Sequence, residues 1–180
     1  MMKTIVTEYK FPQKIYFEKI LKRICIFILE SSFTKPKVID FGCGNSTLES
    51  FLIKQDPSVS ITGYDIDPNL SKISNPFLVS YDMWVFNHVL MYMNQTEIEN
   101  LFREIKRLNQ DALLIIGLSR QNFISKFGAF FLNPEAHDGT ISSYETQRKF
   151  IDLELEICSL ERIFFMTDLF VCKFKDTKSS

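Results

Sequence analysis

A three-layer α/β fold, with a mostly parallel sheet between helices and an antiparallel strand at the C-terminus, is what this 180-residue sequence predicts. Three observations carry that expectation. Apolar runs of strand length alternate with stretches whose apolar residues recur at helical spacing. Ala112 to Leu118 is a continuous apolar run, as expected of a strand buried on both faces. The run Val38-Ile39-Asp40-Phe41-Gly42-Cys43-Gly44-Asn45 takes a short apolar strand into an acid and a glycine-x-glycine turn that opens the next helix.

The elements follow in order. A first helix is expected from Pro12 to about Ser31, with Phe17, Ile20, Leu21, Ile24, Phe27 and Ile28 on one face and Lys14, Lys19, Lys22 and Arg23 on the other. Lys35-Pro36 ends it before the first strand. After the glycine turn, Ser46 to Gln55 reads as a helix closed by Pro57, and Val59 to Asp65 reads as a second strand. A further strand is expected at Tyr81 to Phe86. The helix from Gln95 to Asn109 carries the stripe Ile98, Leu101, Phe102, Ile105 and Leu108, with Thr96 and Glu99 as a capping box. Ser142 to about Leu153 is a last helix, with a second box in Ser142 and Glu145. Two closing strands, Ile157 to Met166 and Leu169 to Phe174, are expected to turn at Thr167-Asp168.

Length and composition predict one domain over 1–180, divided into a helical segment (1–36), a core (37–175) and a polar tail (176–180). Eighteen phenylalanines supply a bulky core, and a formal net charge of −1 gives no global electrostatic pull towards nucleic acid. Cys25, Cys43, Cys158 and Cys172 are scattered, without a C-x-x-C pair or zinc spacing, so no metal site is expected and the thiols read as reduced. No apolar run spans a bilayer, and the N-terminus lacks a signal-peptide layout, which makes a cytoplasmic protein the expectation.

The chemistry lies at the strand tips. Asp65 follows Gly42 by 23 positions and ends the second strand. A carboxylate there is suited to accept hydrogen bonds from both hydroxyls of a ribose, because it is acceptor-only and serves two donors at once. Dinucleotide and methyl-donor sites share this logic, and two residues separate them. A dinucleotide turn needs a third glycine or alanine where Thr47 stands. Asp40 would repel a pyrophosphate but attract an ammonium or a sulfonium. The alternative for the glycine pair is a tight turn that binds nothing.

The strand-acid-x-Gly-x-Gly motif, Asp65, and the stretch Tyr81-Asp82 through Asn87-His88 to Met93 together resemble the class I S-adenosylmethionine-dependent methyltransferases over about Lys37 to Gly117. The resemblance implies a Rossmann-like methyltransferase sheet and S-adenosylmethionine as cofactor. Asp40 and the Gly42–Gly44 turn would hold the methionine end and Asp65 the ribose. Phe86 and Asn87 would line the cleft, and Cys43, Asn45 and Ile66 join the cofactor-binding positions. One departure stands out: only 17 residues separate Asp65 from Asp82, where the family places a helix, a third strand and an acid for the adenine amino group. No acid occurs between Pro68 and Ser80, so the adenine pocket is either built differently, for instance by backbone groups with Ser80 or Tyr81, or missing. Asn75-Pro76-Phe77 lies before the fourth family strand rather than after it and reads as a turn.

Methyl transfer needs alignment and often a base for the acceptor proton. His88, after the fourth family strand, and His137, in the loop before the last helix, are the catalytic candidates; a cap or surface role is the alternative for each. Phe123, Phe127, Phe130 and Phe131 read as an acceptor-site lid, with core packing or an oligomer contact as the alternative. The expected reaction is methyl transfer to a small molecule or to a sugar of a bacterial-type glycan pathway. The alternatives are a catalytically silent partner protein with the same fold, an RNA methyltransferase using the basic face of the first helix, and an NAD-dependent oxidoreductase. The sequence leaves the oligomeric state open.

Overall fold

The computed structural model describes residues 13–120 and 139–176. Six strands form one sheet: β1 (Lys37–Phe41), β2 (Ser60–Tyr64), β3 (Met83–Asn87), β4 (Leu113–Ser119), β5 (Leu155–Ile163) and β6 (Thr167–Phe174). Their order is β2-β1-β3-β4-β6-β5. The first four run parallel, and β6 lies antiparallel to both β4 and β5. Among the described residues four helices cover the sheet: α1 (Gln13–Leu29), α2 (Thr47–Gln55), α3 (Gln95–Leu108) and α4 (Tyr144–Glu154), with a 3-10 turn at Leu90–Tyr92. No helix among the described residues is long and apolar enough to cross a membrane.

Side-chain alternation along each strand builds two cores. On one face Val38, Met83, Val85 and Ile115 pack with Ile20, Ile24 and Ile28 of α1 and Leu48 and Leu52 of α2. On the other, Ile39, Trp84, Phe86, Ile116 and Phe170 pack with Ile98, Phe102 and Ile105 of α3 and Ile151 of α4. Each such side chain contributes roughly 1.5–3 kcal/mol when fully buried. Because both faces of the parallel strands are covered, β3 and β4 read as unbroken apolar runs.

Residues 65–82 hold neither strand nor helix, so the helix and third strand that the methyltransferase family places there are absent, in keeping with the short spacing from Asp65 to Asp82. Phe77 takes over part of their covering role, stacking on Trp84 with ring centroids 5.9 Å apart. The contact continues through Trp84–Phe86 (6.1 Å), Phe86–Phe102 (5.2 Å) and Phe102–Phe150 (4.9 Å), which is where many of the phenylalanines are spent. Asn75-Pro76-Phe77 is a turn, closed by the Phe77 amide donating to Asn75 Oδ1 at 2.9 Å.

Three local expectations are corrected. The β5–β6 connection turns at Phe164-Phe165-Met166, not at Thr167-Asp168: Phe164 and Phe165 take φ values of 50° and 58°, the left-handed geometry that suits tight hairpins. Two phenylalanines give no sequence signal for such a turn. The box on α3 is Asn94 with Glu97, whose side chains accept from each other's backbone amides at 3.0 and 2.7 Å. On α4 the cap is Ser143, accepting from the Thr146 amide, while Ser142 Oγ donates to the Leu90 carbonyl.

Gly42 shows how the opening motif is built. Its φ is +80°, and a Cβ there would stand 2.5 Å from Val89 Cγ2. The first glycine therefore serves the approach of the chain after β3. Gly42→Ala is expected to cost about 2 kcal/mol or more in urea unfolding, through overpacking and positive-φ strain together. Adding Val89→Ala should return part of the overpacking share, since Val89 Cβ itself lies 2.9 Å from the built Cβ, but none of the strain; identical losses in the single and double variants would contradict that division.

Candidate functional site

The parallel strands end along one edge, and the residues singled out by sequence gather there. Asp40 lies near the end of β1, which is flanked by β2 and β3, and is 5% exposed. No described residue donates a hydrogen bond to its carboxylate. Burial, reinforced by the charges of Asp65 and Glu49, pushes its pKa up to about 7. Burial and then the same Asp40 charge push the Cys25 and Cys43 thiols up to about 11, so neither is a thiolate near neutral pH.

The turn after Asp40 holds its own amides. Gly42 and Cys43 both donate to the Tyr64 carbonyl, at 2.7 and 3.0 Å, and Gly44 donates to Asp65 Oδ2 at 3.0 Å. β2 and its terminal acid therefore use all three of these N–H groups. What remains open is acceptor capacity. Asp65 Oδ1 takes the Asp67 amide at 3.0 Å, so each of its oxygens serves one backbone donor and keeps a lone pair for another. Gly44 has φ +49° and nothing within 4 Å of a Cβ built on it, leaving the turn open beside the carboxylate. Ile66, next to Asp65, is 74% exposed, and Asn45 is exposed as well.

Two residues that sequence reasoning passed over hold this corner. A Cβ on Gly63 would stand 2.8 Å from Cys43 Sγ, so only glycine lets β2 run close under the turn. Ser71 Oγ accepts from the Asp65 amide at 3.1 Å and donates to the Ile73 carbonyl at 2.6 Å, anchoring the loop after β2. Gly63 carries a readable signal, a glycine inside a strand pattern; Ser71 carries none.

The β3 end supplies the other wall. Asn87 Oδ1 is buried and has no hydrogen-bond partner among the described residues, and it stands 2.9 Å from where a Gly117 Cβ would lie. A buried unpaired acceptor is costly, roughly 1–3 kcal/mol. Phe86, expected to line the cleft, is fully buried between Phe41 and Phe102, so it supports the wall from behind. Tyr81 is likewise buried, in edge contact with Trp84, while Ser80 is exposed.

His88 sits just beyond β3 in a left-handed conformation, φ +58°. Its Nε2 lies 2.9 Å from Thr167 Oγ1, and the Tyr16 hydroxyl hydrogen-bonds the same Thr167 oxygen. The Phe17 ring meets the imidazole edge at 6.1 Å. The structure thus joins His88 to β6 and α1 through Thr167 and Tyr16, neither of which sequence reasoning singled out. His137 and the phenylalanines from Phe123 to Phe131 lie outside the described residues.

No family model matches the chain, and no curated protein matches it in sequence. Solved structures do match in shape. The methyltransferase domain of bacterial CtHen1 superposes with a TM-score of 0.66 at 16% identity, covering 88% of this chain and 100% of that one. The PH0226 protein of Pyrococcus horikoshii OT3 gives 0.64 at 12% identity over 97% of both chains. CalO1, a methyltransferase of calicheamicin biosynthesis in its SAH-bound form, gives 0.59 at 13% identity over 90% of this chain and 57% of its own. The chain has the fold of the class I S-adenosylmethionine-dependent methyltransferases.

Proposed function

We propose that the chain binds S-adenosylmethionine at the β1–β2 corner and transfers its methyl group to a small-molecule acceptor. The observation that carries this reading is a buried Asp40 carboxylate without a donor among the described residues, beside an Asp65 with acceptor capacity to spare. A pyrophosphate finds no amide left in the Gly42–Gly44 turn and two carboxylates nearby, which disfavours a dinucleotide. A ligand with an ammonium and two ribose hydroxyls supplies the donors these groups lack. The orphaned Asn87 Oδ1 is a further acceptor at the same strand edge. CalO1 with SAH bound and the mitomycin 7-O-methyltransferase MmcR have the same fold, which supports the cofactor and a small-molecule acceptor.

In this reading Asp40 faces the methionine end with Gly42, Cys43, Gly44 and Asn45 around it. Asp65 takes the ribose hydroxyls, and Ile66 lays apolar surface against the adenine, in place of the missing acid between Pro68 and Ser80. S-adenosylmethionine supplies, when bound, a methyl group made electrophilic by its sulfonium. The chain aligns an acceptor lone pair with that methyl and removes the acceptor proton. His88 is the base, with Thr167 and Tyr16 fixing the ring through Nε2; His137 is a second candidate for the same step. A protein of this fold that has lost catalysis is the other reading, favoured by the absence of strand and helix from residues 65–82.

Three outcomes test the proposal. Calorimetric titration with S-adenosylhomocysteine should give micromolar binding that Asp65→Ala abolishes, with no binding of NAD; unchanged affinity without the Asp65 carboxylate would remove the ribose role. In the free protein Asp40 holds a proton between pH 4 and 7 that the unfolded chain releases, so folding stability falls as pH rises through that window. The full displacement corresponds to an upper bound of about 4 kcal/mol. Asp40→Asn should therefore match the native chain in melting temperature at pH 4, exceed it at pH 8, and lose S-adenosylhomocysteine binding. A variant less stable than the native chain at pH 8 would contradict the burial cost. Once an acceptor is found, His88→Gln should lower kcat about 10²-fold or more with cofactor affinity unchanged. An unaltered kcat would take the base role from His88.

A further inference from the structure

The geometry points to an oxyanion clamp formed by Arg120 and Arg162 around Asp168, which selects an acceptor bearing a carboxylate or phosphate. Asp168 opens β6 one residue beyond Thr167 and is 1% exposed. Its Oδ2 accepts from Arg120 Nη1 at 2.9 Å and from the Tyr144 hydroxyl at 2.6 Å, and its Oδ1 accepts from Arg162 Nε at 2.9 Å. Burial raises the pKa of this carboxyl, but the donors Arg162 and Tyr144 and the two arginine charges outweigh it and hold it below the usual carboxylate range. One guanidinium neutralises Asp168; the second leaves a surplus positive charge.

The neighbouring acids are committed elsewhere. Glu161 pairs with Arg23 at 2.5 Å and Asp152 with Arg148 at 2.8 Å. Among the described residues no second carboxylate reaches either clamp arginine. A guanidinium has five N–H donors in a fixed fork, and Asp168 occupies one on each arginine, so the others remain for a planar or tetrahedral oxyanion. Arg120 is held further by the Tyr144 ring, 5.6 Å from its guanidinium carbon. The two side chains are 28% and 48% exposed, so the free donors reach solvent while their anchor does not.

Placement gives the clamp its role. Asp168 pairs with Leu118 and Thr167 with Ser119, so the clamp continues the strand edge on which His88 contacts Thr167. Thr167 faces Tyr16 of α1 and Asp168 faces Tyr144 of α4, on opposite sides of β6, so an anionic group held there sets the acceptor at the same sheet end as His88 but on the other face. That acceptor role rests on the methyl-transfer reading; the oxyanion site itself does not.

The test is the melting temperature of the whole chain titrated with inorganic phosphate and, separately, with acetate, at ionic strength held constant with potassium chloride. At least one anion should raise it saturably, by on the order of 5 °C at a hundredfold excess over Kd. Arg162→Gln, at an exposed position, should lose the rise, and Arg162→Lys should keep part of it. The response to each anion tells phosphate from carboxylate. No saturable rise with either, or an equal rise in Arg162→Gln, overturns the clamp. Titration with S-adenosylhomocysteine is read separately: its failure withdraws the acceptor role, while failure of the anion titration withdraws the clamp and leaves cofactor binding untouched.

Discussion

A carboxylate buried in a central strand, with no donor among the described residues, is the constraint around which this molecule is arranged. Asp40 is only 5% exposed, because β2 and β3 flank β1 and the helices α1 and α2 cover its face. The surrounding groups do not relieve it: the turn amides go to Tyr64 and Asp65, the Cys25 and Cys43 thiols stay protonated, and Asp65 and Glu49 add like charge. Such a group lowers stability unless something else answers it. Strain kept at one point of an otherwise well-packed sheet is the pattern expected of a binding site.

The two cores permit that cost. On one side, three isoleucines of α1 and two leucines of α2 close over β1, β3 and β4; on the other, the aromatic series from Phe77 to Phe150 ties a strandless loop to α3 and α4. Losing the third strand leaves the chain without the family's adenine acid, yet Phe77 on Trp84 keeps that face of the sheet covered. The sheet thus stays covered without that strand.

Most of the fold was legible in the sequence, because a buried parallel sheet writes itself as apolar runs and its helices as 3.6-residue stripes. Every strand among the described residues was found, with ends displaced by at most three residues. The turn at Phe164–Phe165 was missed because it uses left-handed phenylalanines, where sequence rules look for asparagine and glycine. Asp40, Gly42, Gly44, Asp65, Asn87 and His88 do come to one edge. What stayed hidden depends on long-range contact: the consumption of the turn amides, the link from Tyr16 through Thr167 to His88, and the pairing of Arg120, Arg162 and Tyr144 on Asp168. These contacts bridge up to 151 positions, beyond any local pattern.

The most direct test of Asp40's part is a proton count. Calorimetric titrations with S-adenosylhomocysteine at pH 6, in buffers of different ionisation enthalpy, read how many protons leave the protein on binding. A cationic ligand end seated at Asp40 must displace the proton that burial keeps there, so about one proton per ligand should be released. Binding at pH 6 without proton release would contradict the assignment of the ligand's cationic end to Asp40.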